Sequence, residues 1–235
     1  MATVHRSTRP AVKGTEEELP PLEPGDHLDQ KTFHARYEAM PEDVRAELIG
    51  GIVYMPSPAK LRHGRKHARV MLWLSLYEAM TPGTLVFDNA TMILSSESEV
   101  QPDAGLILTP ANGGQMRENK QGYLEGTPEL IAEIASSSES YDLHGKKKTY
   151  EQANVKEYVV VAVRQRRVFW FILRRGRFEE LPPGSDDILR SRTFPGLWLD
   201  AEALLRDNGR RVRNVLELGL SSPEYTTFRA KLDAR

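Results

Sequence analysis

Apolar and polar positions alternate along this chain in two rhythms. From Gly64 to Met80 the run RKHARVMLWLSLYEAM has helical spacing, and Val70, Leu72, Trp73, Leu76 and Tyr77 are expected on its buried face. Pro82-Gly83 should end that helix, because proline and glycine both break it. A shorter helix is expected after Asp29, with Phe33, Tyr37 and Met40 on one side. AELI and IVYM flank Gly50-Gly51, which reads as a hairpin over Ala46 to Met55, since two glycines suit the positive φ of a tight turn. Pro56 and Pro58 interrupt the pattern after it. Strands are expected at Leu85 to Phe87, Thr91 to Leu94, Ala104 to Leu108 and Leu130 to Ala135, with a Gly-rich loop from Thr109 to Thr127. A helix over Leu143 to Ala153 follows. The strands Glu157 to Val163 and Val168 to Leu173 are then joined by the turn RQRR, with Arg177 to Leu181 at an edge. The tail after Asp200 reads as helical in two pieces. This order implies an α/β domain, a mixed central sheet with helices on its faces.

Residues 1 to 26 are charged and proline-rich and read as a flexible extension, 27 to 200 as the domain, and 201 to 235 as a C-terminal helical extension. No apolar run is long enough to span a bilayer, so no membrane partner is expected, and the N-terminus lacks the apolar core of a secretory signal. The chain has no cysteine, which excludes disulfides, thiolate zinc sites and thiol nucleophiles and fits a cytoplasmic setting. With 32 basic and 33 acidic residues, it is not a protein held on DNA by bulk charge. A local basic groove stays compatible with that sum, because metal-binding carboxylates can cancel it. No Walker loop, dinucleotide fingerprint or Gly-x-Ser-x-Gly elbow occurs.

Glu133 stands out chemically. It interrupts the apolar run ELIAEIAS, where an uncompensated carboxylate costs several kcal/mol. The plain alternative is a solvated edge position or an arginine partner. Asp103 follows Pro102 at the mouth of the strand AGLIL. One carboxylate from each of two strands makes an oxygen-rich site suited to magnesium. Glu47, on the first hairpin arm, is a third carboxylate able to reach that site or to face solvent. Lys146 opens the run KKK and can supply a positive charge near a phosphoryl group, although the three lysines also fit a solvated face. Lys147 and Tyr150 are carried with it as substrate-binding candidates. His63 and His67 have i, i+4 spacing without a third metal ligand, and His63 is the one placed to reach a substrate phosphate.

These segments resemble a known family. AELIGGIVYMPSP, then HG, QPDAGLIL and PELIAEIASSSESYDLHGKKKTYEQANVKEYVVVAV are similar to the bacterial Uma family of restriction-endonuclease-like proteins, with FPGLWLD as a further element. The spacing Asp142-x3-Lys146-x3-Tyr150 keeps step with it. The resemblance implies the PD-(D/E)XK nuclease superfamily and a restriction-endonuclease-like core. It implies a magnesium ion, with manganese as an alternative, held by Asp103, Glu133 and the main-chain carbonyl of Ile134. It also implies catalytic roles for Glu47, Asp103, Glu133 and Lys146, DNA as substrate, and a homodimer as one way to cut two strands. The superfamily pattern puts lysine two residues after the glutamate, where this chain has Ala135, so Lys146 is read as a migrated lysine. Two other classes stay open: a nucleic-acid-binding or assembly protein with this fold and no turnover, and a carboxylate-pair glycosidase.

Overall fold

A computed structural model of the chain describes residues 19–56, 60–136 and 139–234. The first helix, α1 (Gln30–Glu38), begins where the Asp29 carboxylate accepts from Thr32 N–H at 2.8 Å. β1 (Glu47–Ile49) and β2 (Ile52–Tyr54) form the hairpin, with Gly50 and Gly51 at φ 58° and 79°. α2 (Leu61–Met80) starts one turn before the expected residue. Its buried face is Val70, Trp73, Leu74 and Tyr77, an i, i+3, i+4, i+7 stripe, so Leu74 takes the place expected of Leu72 and Leu76.

Four strands follow: β3 (Thr84–Asp88), β4 (Met92–Ser95), β5 (Ser98–Val100) and β6 (Ala104–Leu108). Inside the expected long loop, β7 (Arg117–Glu118) and β8 (Leu124–Glu125) form a short ladder. β9 (Leu130–Glu133) leads to α3 (Glu139–Tyr141), a π-helical turn at Asp142–Lys146, and α4 (Lys147–Gln152). Then come β10 (Glu157–Ala162), β11 (Arg167–Arg174), β12 (Arg177–Glu180), β13 (Ile188–Arg190) and β14 (Trp198–Asp200). The tail is three helices rather than two: α5 (Ala201–Leu205), α6 (Gly209–Leu220) and α7 (Pro223–Asp233).

The central sheet has the order β12-β11-β10-β9-β6-β3. It is mixed: β9 and β10 are parallel, and its other pairs are antiparallel. On one face α2, α5, α6 and α7 bury Trp73, Leu106, Val159, Trp170 and Leu216. On the other, α4 and a second six-stranded sheet, β2-β1-β5-β4-β8-β7, bury Met92, Ile131, Tyr150, Tyr158 and Val160. Large side chains fully removed from water, such as Trp73 and Trp170, each contribute about 1.5–3 kcal/mol or more. Among the described residues no helix is long and apolar enough to cross a membrane.

Two further packing facts bear on the expected boundaries. Residues 1–18 and Pro58 lie outside the described residues. Leu22, by contrast, is buried with Phe33, Leu48 and Val53. Gly25 N–H donates to Val53 at 2.9 Å. At the other end Val212, Leu216 and Tyr225 belong to the main core.

Topology decides where the chemistry sits. β6 runs antiparallel to β9, with Ala104 opposite Ala132, so the start of one lies beside the end of the other. Asp103 and Glu133, thirty residues apart in the chain, therefore share one end of the sheet. β9 and β10, being parallel, need a crossover. That crossover is the helical segment carrying Lys146.

Candidate functional site

Asp103 is held from both sides. Its Oδ2 accepts from Ile134 N–H at 2.7 Å, and its Oδ1 lies 3.2 Å from His63 Nε2. The other ring nitrogen of His63 is 3.1 Å from the Ile134 carbonyl. Both nitrogens thus face acceptors, which is satisfied fully only by the doubly protonated ring. The Asp103 hydrogen bond raises the His63 pKa against the opposing effect of burial. Burial alone would raise the Asp103 carboxyl, but His63, Ile134 N–H and Lys146 together hold it below its ordinary value. His67, one turn further along α2, sits 2.8 Å from the Asp103 carbonyl and 3.0 Å from Asp88.

Lys146 joins the second pair of carboxylates. Its Nζ donates to Glu133 Oε1 at 2.9 Å and lies 3.0 Å from Glu47 Oε1. Glu47 also accepts from Gln101 N–H at 2.8 Å, two residues before Asp103. Tyr150 OH donates to the same Glu133 oxygen at 2.8 Å. The lysine reaches inward because the turn before α4 is π-helical, a wider turn that shifts the register of the following side chains. Lys146 is buried, Lys147 lies over the Phe171 ring at 3.7 Å, and Lys148 is exposed. Asp103, Glu133, Glu47, Lys146, Tyr150 and His63 are therefore brought together, and Lys147 is not.

The interior of this cluster is closed and its mouth is not. The side chains of Glu133, Lys146 and Glu47 are 4%, 6% and 8% exposed, against 15% for Asp103 and 22% for His63. A ligand entering from solvent meets Asp103 and His63 first. Burial, then crowding by Asp103, Asp142 and Glu47, pushes the Glu133 carboxyl well up, and Lys146 opposes that rise. Burial opposes the charge on Lys146, but Glu133, Glu47 and Asp142 outweigh it and keep the ammonium protonated.

A family model described as "Putative restriction endonuclease", Uma2, matches residues 31–202. The chain belongs to the Uma2 family. A solved structure with the same fold is that of a "putative nuclease belonging to DUF820 from Anabaena variabilis ATCC 29413". The two share 13% identity at a TM-score of 0.58, over 73% of this chain and 97% of that one. No curated protein matches the chain. The fold of this Uma2 member is thus restriction-endonuclease-like, a mixed central sheet flanked by helices.

The donor set fits a hard divalent cation. Asp103 Oδ1 and the Ile134 carbonyl already converge on one imidazole ring, that of His63. Four carboxyl groups, Glu47, Asp103, Glu133 and Asp142, crowd around two basic side chains, Lys146 and His63. Among the described residues no three His, Asp or Glu side chains form a metal cage by themselves. Magnesium does not need one, because it binds one or two carboxylates and keeps waters.

Asp142 and Tyr141 are not among the site residues expected from the sequence. Asp142 is buried, and its charge acts on Glu133, Lys146 and His63. The spacing Asp142, Lys146, Tyr150 puts i, i+4, i+8 on one helical face, a signal able to mark it. The Tyr141 ring meets that of Tyr54 tilted by 42° with centroids 4.3 Å apart, and its buried hydroxyl has no hydrogen-bond partner among the described residues. Burial and then the Glu47 carboxylate raise its pKa, so the phenol stays a donor. Nothing in the local pattern of SESYD distinguishes that tyrosine.

Proposed function

We propose that this Uma2 member is a magnesium-dependent endonuclease that hydrolyses phosphodiester bonds in DNA. The observation carrying the proposal is the grouping of Asp103, Glu133 and Lys146 at one sheet end, open to solvent on the Asp103 side. Asp103, Glu133 and the Ile134 carbonyl would hold magnesium, or manganese in its place. When bound, such an ion polarises a phosphate oxygen and lowers the pKa of water.

The side chains supply the rest. Asp103 is kept ionised by His63 and the Ile134 N–H, so it is ready to act as a ligand at neutral pH. Tyr150 fixes the Glu133 carboxylate from behind. The Lys146 ammonium places a charge where a phosphoryl transfer builds negative charge, in a dry setting that strengthens it. Glu47 holds Lys146 in position. His63, at the mouth, is engaged with Asp103 and the Ile134 carbonyl, and would reach a phosphate oxygen by giving up one of these partners.

The test is cleavage of duplex, single-stranded and nicked DNA with Mg2+ or Mn2+, alongside calorimetric titration of each ion. Asp103→Asn and Glu133→Gln should each abolish cleavage and weaken ion binding while the far-UV circular dichroism stays native. Wild-type cleavage in either variant, or no cleavage of any substrate by the wild type, refutes the proposal.

A further inference from the structure

The same end of the central sheet carries charge that the carboxylate cluster does not use. β10 runs parallel to β9, so both strands finish at the site's end of the sheet, and Val163 N–H donates to the Ala135 carbonyl at 2.9 Å. The chain then turns through Arg164, Gln165 and Arg166 into β11, and these residues and Arg167 are all exposed. The turn is braced from the crossover: the Glu139 carboxylate accepts from Arg164 N–H at 2.5 Å and from Gln165 N–H at 3.3 Å. Arg166 stands in the left-handed region at φ 52°, which residues with a side chain rarely adopt. Arg167 is committed elsewhere, paired with Glu180 and lying 4.2 Å over the Phe169 ring. Arg164 and Arg166 form no ion pair among the described residues, and Glu139 spends its Oε1 on main-chain groups of the turn.

The distances suit a nucleic-acid backbone. Neighbouring strands lie about 4.8 Å apart, so the two steps from β10 through β9 to β6 put the turn about 10 Å to the side of Asp103. Glu133 pairs with Val160, and β10 runs on two residues to Ala162, about 7 Å further out at strand rise, with Arg164 in the turn beyond it. The turn is therefore a raised wall beside the mouth of the site. One strand of a duplex offers a phosphate about every 3.4 Å of axis, so this wall meets the backbone about three nucleotides from a phosphate at Asp103.

We propose that the β10–β11 turn is a phosphate clamp, with Arg164 and Arg166 gripping the substrate backbone about three nucleotides to one side of the cut. The clamp rests on the nuclease reading. It positions DNA by charge and carries no base specificity.

The experiment is equilibrium binding of a labelled duplex over a range of KCl, with Ca2+ replacing Mg2+. Arg164→Gln/Arg166→Gln should bind about tenfold more weakly at low salt. Its log Kd against log salt slope should be shallower by roughly two, one for each phosphate no longer neutralised. Arg164→Lys/Arg166→Lys should recover most of the affinity, and Arg213→Gln on α6 should match the wild type. Single methylphosphonate substitutions about three nucleotides from the cut should weaken the wild type and leave the double Gln variant unaffected. If the double Gln variant keeps wild-type affinity and slope, the clamp is overturned while the nuclease reading stands. A wild type that neither binds nor cuts DNA overturns both.

Discussion

Replacing Lys146 by methionine keeps most of the apolar stem and removes the ammonium, its charge and its hydrogen bond to Glu133. The ammonium lies 2.9 Å from Glu133 and 3.0 Å from Glu47, all three buried. Breaking a buried pair by deleting one partner costs about 3–5 kcal/mol, because the other charge is left uncompensated. In a chain of this size that is about 6–20 °C in melting temperature. The sign of the pH dependence follows from the carboxyls left behind. Burial already raises Glu133, and without the ammonium that rise is opposed by the Tyr150 hydroxyl but no longer by a charge. An acid raised in the folded state binds its proton more tightly there. The variant should therefore come closest to wild type near the unfolded carboxylate pKa, about 4.3, and lose ground as pH climbs through the raised folded value. Each further unit of rise adds about 1.4 kcal/mol to the loss. Lys146 itself is raised above an already high pKa, so its contribution in the wild type is fully present at neutral pH and lost only in strong alkali. The assay is urea unfolding followed by tryptophan fluorescence at pH 5 and pH 8 in EDTA. Adding Glu133→Gln to Lys146→Met should recover part of the loss at pH 8. A Lys146→Met protein within about 1 kcal/mol of wild type at pH 8, where the penalty should be about 3–5 kcal/mol, would mean that the ammonium does not compensate the two buried carboxylates.

Three further outcomes are expected. In single-turnover cleavage Lys146→Ala should lower the rate by about a hundredfold or more, as for a lost transition-state charge, and Lys147→Ala far less, since Lys147 lies over Phe171; equal effects would leave Lys146 without a catalytic role. Glu157 accepts four bonds, from Arg192 and Thr193 N–H, Trp170 Nε1 and Ser191 Oγ, while burial pushes its carboxyl up. Glu157→Gln should cost about 1–3 kcal/mol, with the largest gap to wild type at acid pH and a narrowing gap as pH rises through the folded value, because only the wild type then ionises a buried acid; a gap that widens in urea titrations would contradict this. Removing residues 1–18 should leave the melting temperature nearly unchanged, whereas removal through Asp26 strips Leu22 from its packing against Phe33 and Val53 and should cost about 2–5 kcal/mol, both read by calorimetry.

Local chemistry alone determined much of this protein. Gly50-Gly51 between apolar arms specifies a hairpin, Asp29 caps a helix, and Pro82-Gly83 stops one, each through the φ and hydrogen-bonding preferences of single residues. Glu133 was visible because a carboxylate in an apolar strand is costly, and Asp103 because proline precedes it at a strand mouth. The strands β5, β7 and β8 were not visible, since two or three residues carry no periodicity, and their ladders exist only because the second sheet assembles around them. The tertiary structure alone decided that His63 from α2 spans Asp103 and the Ile134 carbonyl, and that Lys146 rather than Lys147 turns inward. The first depends on how α2 packs across the sheet. The second depends on a π turn that brings the buried ammonium to Glu133 at the end of β9 and to Glu47 on β1, a strand far away in the chain.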